Sequence, residues 1–492
     1  MNIALAIIVF FWLVAMGLAF ASIRGKKMDM EQWAVGGRGL GAIFVFILLA
    51  GETYSIFTLL GTSGFAYSKG AAVYFLIAFT VLGSMSSYWL LPPMWRYAKE
   101  HNCLSQSDFF AAKYSSPAFG TFVAIVGSIA LVPYITLLFK SMGILVAAIS
   151  YGSISQDVAI WVGMISLIIY VLVSGIHGSA WTSTIKDIMI FVIILFLGIY
   201  IPIHYYGSHQ EMFKTLQMLK PGFVTFPEKG LSLWWFWSTV ALSSFAYYLW
   251  PHNAPAIFSS HNEKAFRRNA GLFPLYALMV VVVYVIGFAA ALQIPGLVGA
   301  DGDQALLRLS MITFDPWIVG IIGATGLLST LVPGAMMLMT VATMLTTNVY
   351  KPLFPAATDK QTTFAAKTIV VVVGVLCTYF ALSKNDTLAT LYISSFGMIS
   401  QLAPGLWLSL KKKNPLTLQG VFAGILVGIT IMVYTAFTKI TIASLFPGLP
   451  QYIKDLNIGM IALLLNVIIA FGVSQFSGSA KAVEEKLEAN KA

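Results

Sequence analysis

Apolar runs of about twenty residues recur along the whole chain, separated by short polar stretches. Each run is long enough to cross a bilayer as a helix. The runs lack the short alternating segments of a membrane β-barrel. Helices satisfy their own backbone groups in lipid, so the expected class is an all-α integral membrane protein. The pattern predicts thirteen transmembrane helices, at about 3–23, 41–65, 71–95, 117–147, 158–175, 181–205, 233–258, 271–293, 313–343, 365–384, 388–410, 416–437 and 457–475. No loop between them is long enough for a soluble domain. The segment 206–232 predicts a short surface turn or half-helix, and the tail "SAKAVEEKLEANKA" a frayed helix.

Composition agrees with this pattern. The 492 residues are 58% hydrophobic and 10% charged, with mean hydropathy +0.84. Soluble domains carry about 25% charge. A formal net charge of +10 in a soluble protein would suggest nucleic acid, but here basic loops on one side account for it. With the N-terminus outside, nineteen Lys and Arg residues fall in inward segments, among them Lys26, Lys27, Lys481, Lys486 and Lys491. Eight fall in outward loops, Lys384 among them. The bias predicts an outside N-terminus, a cytoplasmic C-terminus and a place in a cell membrane, the inner membrane of a bacterium. The first run lacks a basic start and is followed by "RGKK", so it reads as a retained helix. Two cysteines, Cys103 and Cys377, make no disulfide or thiol metal pattern. No nucleotide-binding loop or HExxH motif is present, and no histidine pair has i, i+4 spacing. The expectations are therefore no enzyme activity, no cofactor, no metal site, no nucleic-acid partner and no obligate protein partner. The expected partners are the lipid bilayer and a small-molecule substrate.

The stretch "GGRGLGAIFVFILLAGETYSIFTLLGTSGFAYSKG" (Gly36 to Gly70) resembles the second helix of the sodium:solute symporter family. "SGIHGSAWTSTIKD", "WPHNAPAIFSSHNEKAFRRN" and "TVATMLTTNVYK" are similar to further family segments in the same order. The forms "AWTSTIKD" and "WPHNAP" look most like the monocarboxylate and pantothenate uptake branch. The resemblance implies one transporter domain over residues 1–492 with a LeuT-like core of two five-helix inverted repeats, 41–205 and 233–410. One extra helix, 3–23, precedes the core, two follow at 416–475, and 476–492 is a cytoplasmic tail. It also implies a secondary active symporter that imports a small organic solute, a monocarboxylate-type anion, by alternating access. Independently, each repeat's first helix is interrupted by small or breaking residues, Gly51 in one and "LWPHNAP" in the other. Helices broken at mid-membrane expose backbone groups that can hold a substrate or ion.

Polar residues inside the spans are the candidate site. Glu52 is a carboxylate at a depth where charge is costly, so it reads as functional or as a structural pair. Thr53, Ser55 and Thr58 follow it; Ser55 and Thr58 can share a helix face and contact substrate, or simply bond the preceding turn. Lys140 either meets a substrate carboxylate or snorkels to the interface. Ser243, Ser244, Tyr247, Tyr248, Trp250 and His252 form a polar-aromatic stripe, read as a pocket lining or as packing. An amino acid or amine bound by Glu52 is the rival to an anionic substrate.

Sodium needs hard oxygen ligands. The family's main site, as the resemblance carries it over, takes backbone carbonyls at Gly51, Tyr54 and Ser329 and two hydroxyls that fall here at Val332 and Pro333. A second site would fall at Ala335, Met336 and Ser183. The side-chain oxygens are largely missing, so the sodium site reads as vestigial. Lys186 and Asp187 follow Ser183 and flank it at 100° per residue. A lysine there could replace the ion as a fixed charge and load a proton. The alternative is that both lie near the cytoplasmic start of span 181–205, where the inside-positive bias and helix dipole favour them. The expected coupling ion is H+, with Na+ through a rearranged site, or uncoupled exchange, as alternatives.

Overall fold

The computed structural model describes residues 2–25, 30–383 and 386–477. Lys26, Lys27, Lys384 and the expected tail helix with Lys481, Lys486 and Lys491 lie outside the described residues. The described chain is helical, and one parallel bridge joins Leu40 to Ser260.

Among the described residues, ten helices are long and apolar enough to span a membrane. The expected count of thirteen is not reproduced by that measure, for a physical reason. The expected spans 41–65, 233–258 and 388–410 are interrupted or short, and the chain from Phe57 to Met85 runs across a turn as one apolar stretch. That turn is made at Gly70, with φ 54°. A side chain there would strike the backbone carbonyl of Phe223, which accepts from Ala71 N at 3.0 Å. Glycine is the residue that tolerates both constraints. Gly175, with φ 53°, makes the corresponding reversal at the other end, packed on Trp33.

Eight elements frame the site: α1 (Ala42–Thr53), α2 (Thr62–Lys69), α3 (Pro117–Ile149), α4 (Gly175–Tyr206), α5 (Leu233–Ala246), α6 (Asn253–Phe258), α7 (Pro316–Leu345) and α8 (Leu388–Ile399). α7 is buried along almost its whole length and is the hub of the bundle. Gly320 and Gly323 let Ile3–Ile23 pack against it closely. Peripheral helices leave large apolar residues such as Phe10, Ile188 and Ile468 exposed, as lipid contact requires.

Candidate functional site

α1 ends at Thr53, and Tyr54 leaves the helix with φ −96° and ψ 73°. A π-type turn at Phe57–Gly61 then leads into α2. The break therefore falls three residues beyond Gly51, the expected interruption. Local hydroxyls sustain it. Ser55 Oγ accepts from Phe57 N at 3.2 Å, and Thr58 Oγ1 donates to the Thr53 carbonyl at 3.4 Å. Such side-chain bonds offer the backbone an alternative to the helical ladder.

Breaking the ladder frees carbonyls, and a lysine takes two of them. Lys186 Nζ donates to Gly51 O at 2.8 Å and to Tyr54 O at 3.0 Å. Asp187 Oδ1 lies 2.8 Å from the same nitrogen, and Lys186 is fully buried. Gly51 permits this approach: a Cβ there would lie 3.0 Å from Ser183 Oγ and 3.2 Å from Lys186 Nζ. The helix carrying Lys186 begins at Gly175, not near 181. Eleven residues of rise set Lys186 about 16 Å from that turn, half the thickness of a bilayer core. The reading of Lys186 and Asp187 as first-turn residues is therefore corrected. Ser183 and Ser329 are buried, and neither hydroxyl has a partner among the described residues. Val332, Pro333, Ala335 and Met336 are all buried in α7 and bring no side-chain oxygen.

The second interruption lies between α5 and α6, where Pro251 disfavours helix in the residue before it. Its carbonyls are held by amides. Asn253 Nδ2 donates to Tyr247 O at 3.2 Å, and Gln106 Nε2 to Leu249 O at 2.7 Å.

A cavity of about 30 Å³ lies between the two breaks. Glu52, Thr53, Tyr247 and His252 line it, as does Trp250 of the aromatic stripe. Glu52 Oε2 stands 3.4 Å from His252 Nε2, and no hydrogen bond reaches either carboxylate oxygen among the described residues. Thr53 Oγ1 meets Tyr247 OH at 3.0 Å. Ser55 stands behind the lining, against Tyr134 OH at 3.2 Å, and Thr58 caps the break. Tyr248 turns away to the Ser84 carbonyl. Ser244 and Lys140 do not line the cavity. Lys140 reaches the carbonyl of Asp386. Tyr134, Asn253, Tyr392 and Phe396 complete the lining and were not expected from sequence. A weak signal was present: Tyr392 and Phe396 are i, i+4 aromatics on a short span, and Tyr134 follows a mid-span proline.

Larger cavities flank this one. About 540 Å³ opens at the Gly175 end, beside Gln32, Phe44, His177 and Trp181. About 480 Å³ opens at the Gly70 end, beside Gly64, Asp303, Thr387 and Thr390. A small chamber between two larger cavities, one towards each end of the bundle, is compatible with a solute pathway.

The sodium:solute symporter family model matches residues 33–428. The chain belongs to that family. This symporter is 50% identical over 481 residues to an uncharacterized symporter of Bacillus subtilis, YhjB, covering 98% of each chain. It is 25% identical to a monocarboxylate transport permease protein of Rhizobium johnstonii, with 96% of each chain covered, and 24% identical to the sodium/proline symporter of Escherichia coli, with 88% of this chain and 87% of that one covered. Among solved structures, a Na+-coupled sialic acid symporter aligns over 97% of this chain and 99% of its own, with a TM-score of 0.77 at 16% identity. The LeuT-like fold is thereby shared. The symporter is a multi-pass membrane protein and not an enzyme.

Proposed function

We propose that this symporter is driven by protons rather than sodium, with Lys186 and Asp187 as the coupling pair. The contact of Lys186 Nζ with the Gly51 and Tyr54 carbonyls carries this reading. Those are the backbone oxygens expected to ligate sodium, and an ammonium group now bridges them. A proton leaving Lys186, by way of Asp187, would remove the charge that strengthens both bonds. Each charge-assisted bond contributes about 1.5–3 kcal/mol. Losing two changes the preference for the broken-helix conformation by about 3 kcal/mol or more, enough to shift two states by roughly a hundredfold. The inside-positive charge bias supports an outside N-terminus and an inward-facing Gly175 end, in a bacterial cell membrane.

The substrate is a small organic solute held in the central cavity by Glu52, Thr53, Tyr247 and His252. A monocarboxylate-type anion draws support from the named Rhizobium permease. A second reading, an amino acid or amine, is favoured by the lining: Glu52 stands among aromatic rings, and no Lys or Arg is part of it. Ammonium groups suit a carboxylate beside π-faces. The deciding experiment uses purified symporter in liposomes, with candidate acids and amines first ranked by ligand-induced thermal stabilisation. Uptake of the stabilising solute should follow an imposed pH gradient without sodium. Strong uptake driven by sodium alone at equal pH would sink the proton reading.

A further inference from the structure

Above the central cavity, at the Gly70 end, three elements converge that have no covalent reason to stay together. α3 brings Lys140, α8 begins at Leu388, and the loop before Ala305–Thr313 brings Asp303. Asp303 Oδ2 accepts from Leu388 N at 2.9 Å, which caps the first turn of α8 from outside its own chain segment. Asp303 also lies against α2: a Cβ on Gly64 would fall 2.8 Å from its Cα and 3.0 Å from Oδ1. Lys140 Nζ donates to the carbonyl of Asp386, two residues before the same helix start. The Asp386 carboxylate pairs in turn with Lys439 at 2.8 Å. Asp303 and Lys140 are 2% and 4% exposed, so these are buried charges and not surface decoration.

The helix they hold carries part of the cavity lining. Tyr392 and Phe396 stand one and two turns along α8 from Leu388. Tyr392 stacks on Phe57 with centroids 4.0 Å apart and meets Tyr134 edge-on at 5.4 Å. Phe57 belongs to the outer half of the first broken helix, and Tyr134 to the same α3 that bears Lys140. The rings thus join the elements that the polar groups join, one turn deeper. On the far side of this layer lies the 480 Å³ cavity, which Asp303, Thr387 and Thr390 line.

We infer that Lys140, Asp303 and Asp386 form a polar clasp that holds the start of α8 over the central cavity and governs access from the Gly70 end. Lys140 and Asp303 hold the same helix start through separate backbone bonds, so displacing that start takes these partners from both buried groups. Interactions of this kind favour two discrete positions of a helix over continuous drift. The clasp is independent of the coupling ion and needs only the alternating access of a symporter.

The test uses the full-length symporter in nanodiscs, with one reporter at a time and a water-soluble maleimide. An Asn253→Cys reporter senses the central cavity, and an Ala180→Cys reporter senses the cavity at the Gly175 end. Lys140→Met should raise the labelling rate of the first by at least about tenfold and leave the second unchanged or slower. Asp303→Ala, which removes the acceptor of the Leu388 N–H, should do the same. Unchanged labelling at Asn253→Cys in both variants would overturn the clasp. A parallel rise at both reporters would also overturn it, because that is general loosening.

Discussion

The two interrupted helices meet the same physical problem with different chemistry. Between α1 and α2, the freed carbonyls of Gly51 and Tyr54 are held by a lysine. Between α5 and α6, the carbonyls of Tyr247 and Leu249 are held by the amides of Asn253 and Gln106. An amide holds its carbonyl with the same strength at any working pH. An ammonium can lose its proton and with it most of its grip. One break is held by neutral amides and the other by a charged group, through which the proposed proton coupling would act. The comparison teaches where in a pair of related elements a driving ion can act.

Removing the titratable holder should have the largest effect. Lys186→Ala is expected to lower pH-gradient-driven uptake by at least about a hundredfold, in line with two lost charge-assisted bonds. Full gradient-driven uptake in that variant would erase the distinction between the breaks. Gly51→Ala comes next. Its methyl would press on Ser183 Oγ and Lys186 Nζ at 3.0 and 3.2 Å, and displacing the ammonium should cost roughly tenfold in uptake. Uptake equal to wild type would mean that the close approach is incidental.

Gln106→Ala should act differently at the other break. It leaves the Leu249 carbonyl without its amide partner, a loss of about 1–3 kcal/mol that should appear as a lower unfolding temperature. The ratio of uptake with and without a pH gradient should stay the same. A changed ratio would show that the second break also takes part in coupling.

The smallest effect separates the coupling pair from the clasp. Burial raises the Asp303 carboxyl to about 7, against the opposing Leu388 N–H and Lys140. Charged groups near that end among the described residues also include Asp386, paired with Lys439, the exposed Lys69, Asp301 and Arg308 around Gln304, and Lys220 over Tyr67. When the clasp opens and hydrates Asp303, its carboxyl returns toward 3.8, so the clasped state binds the extra proton between those values. Acid therefore favours the clasped state, and that preference fades as pH rises through about 7. Labelling of the Asn253→Cys reporter should increase a few-fold from pH 6 to pH 8, and Asp303→Asn should flatten the profile. A slope that survives Asp303→Asn would assign the titration to another group.

Much of this was legible in the residues. Twenty-residue apolar runs force helices, because lipid offers no partner to an open backbone. The empty hydroxyl positions at Val332 and Pro333 and the nearby Lys186 already cast doubt on sodium. Less legible was the break itself. Gly51 drew attention as a helix weakener, yet its use is to admit Ser183 and Lys186, while Ser55 and Thr58 sustain the interruption. The contact of Lys140 with the Asp386 carbonyl, 246 residues away, was also beyond the reach of any local pattern.

The sequence by itself determined the membrane class, the family and which side chains can carry a charge into the bilayer. Those follow from local hydrophobicity and from residue type. The tertiary structure alone decided that Lys186 lies at mid-depth on the carbonyls of another helix, that Glu52 faces an aromatic chamber, and that Asp303 caps a helix from a distant loop. Each of these depends on the register between packed helices, which is set by where glycines such as Gly51, Gly64 and Gly175 let backbones approach. No pattern along one helix contains that register.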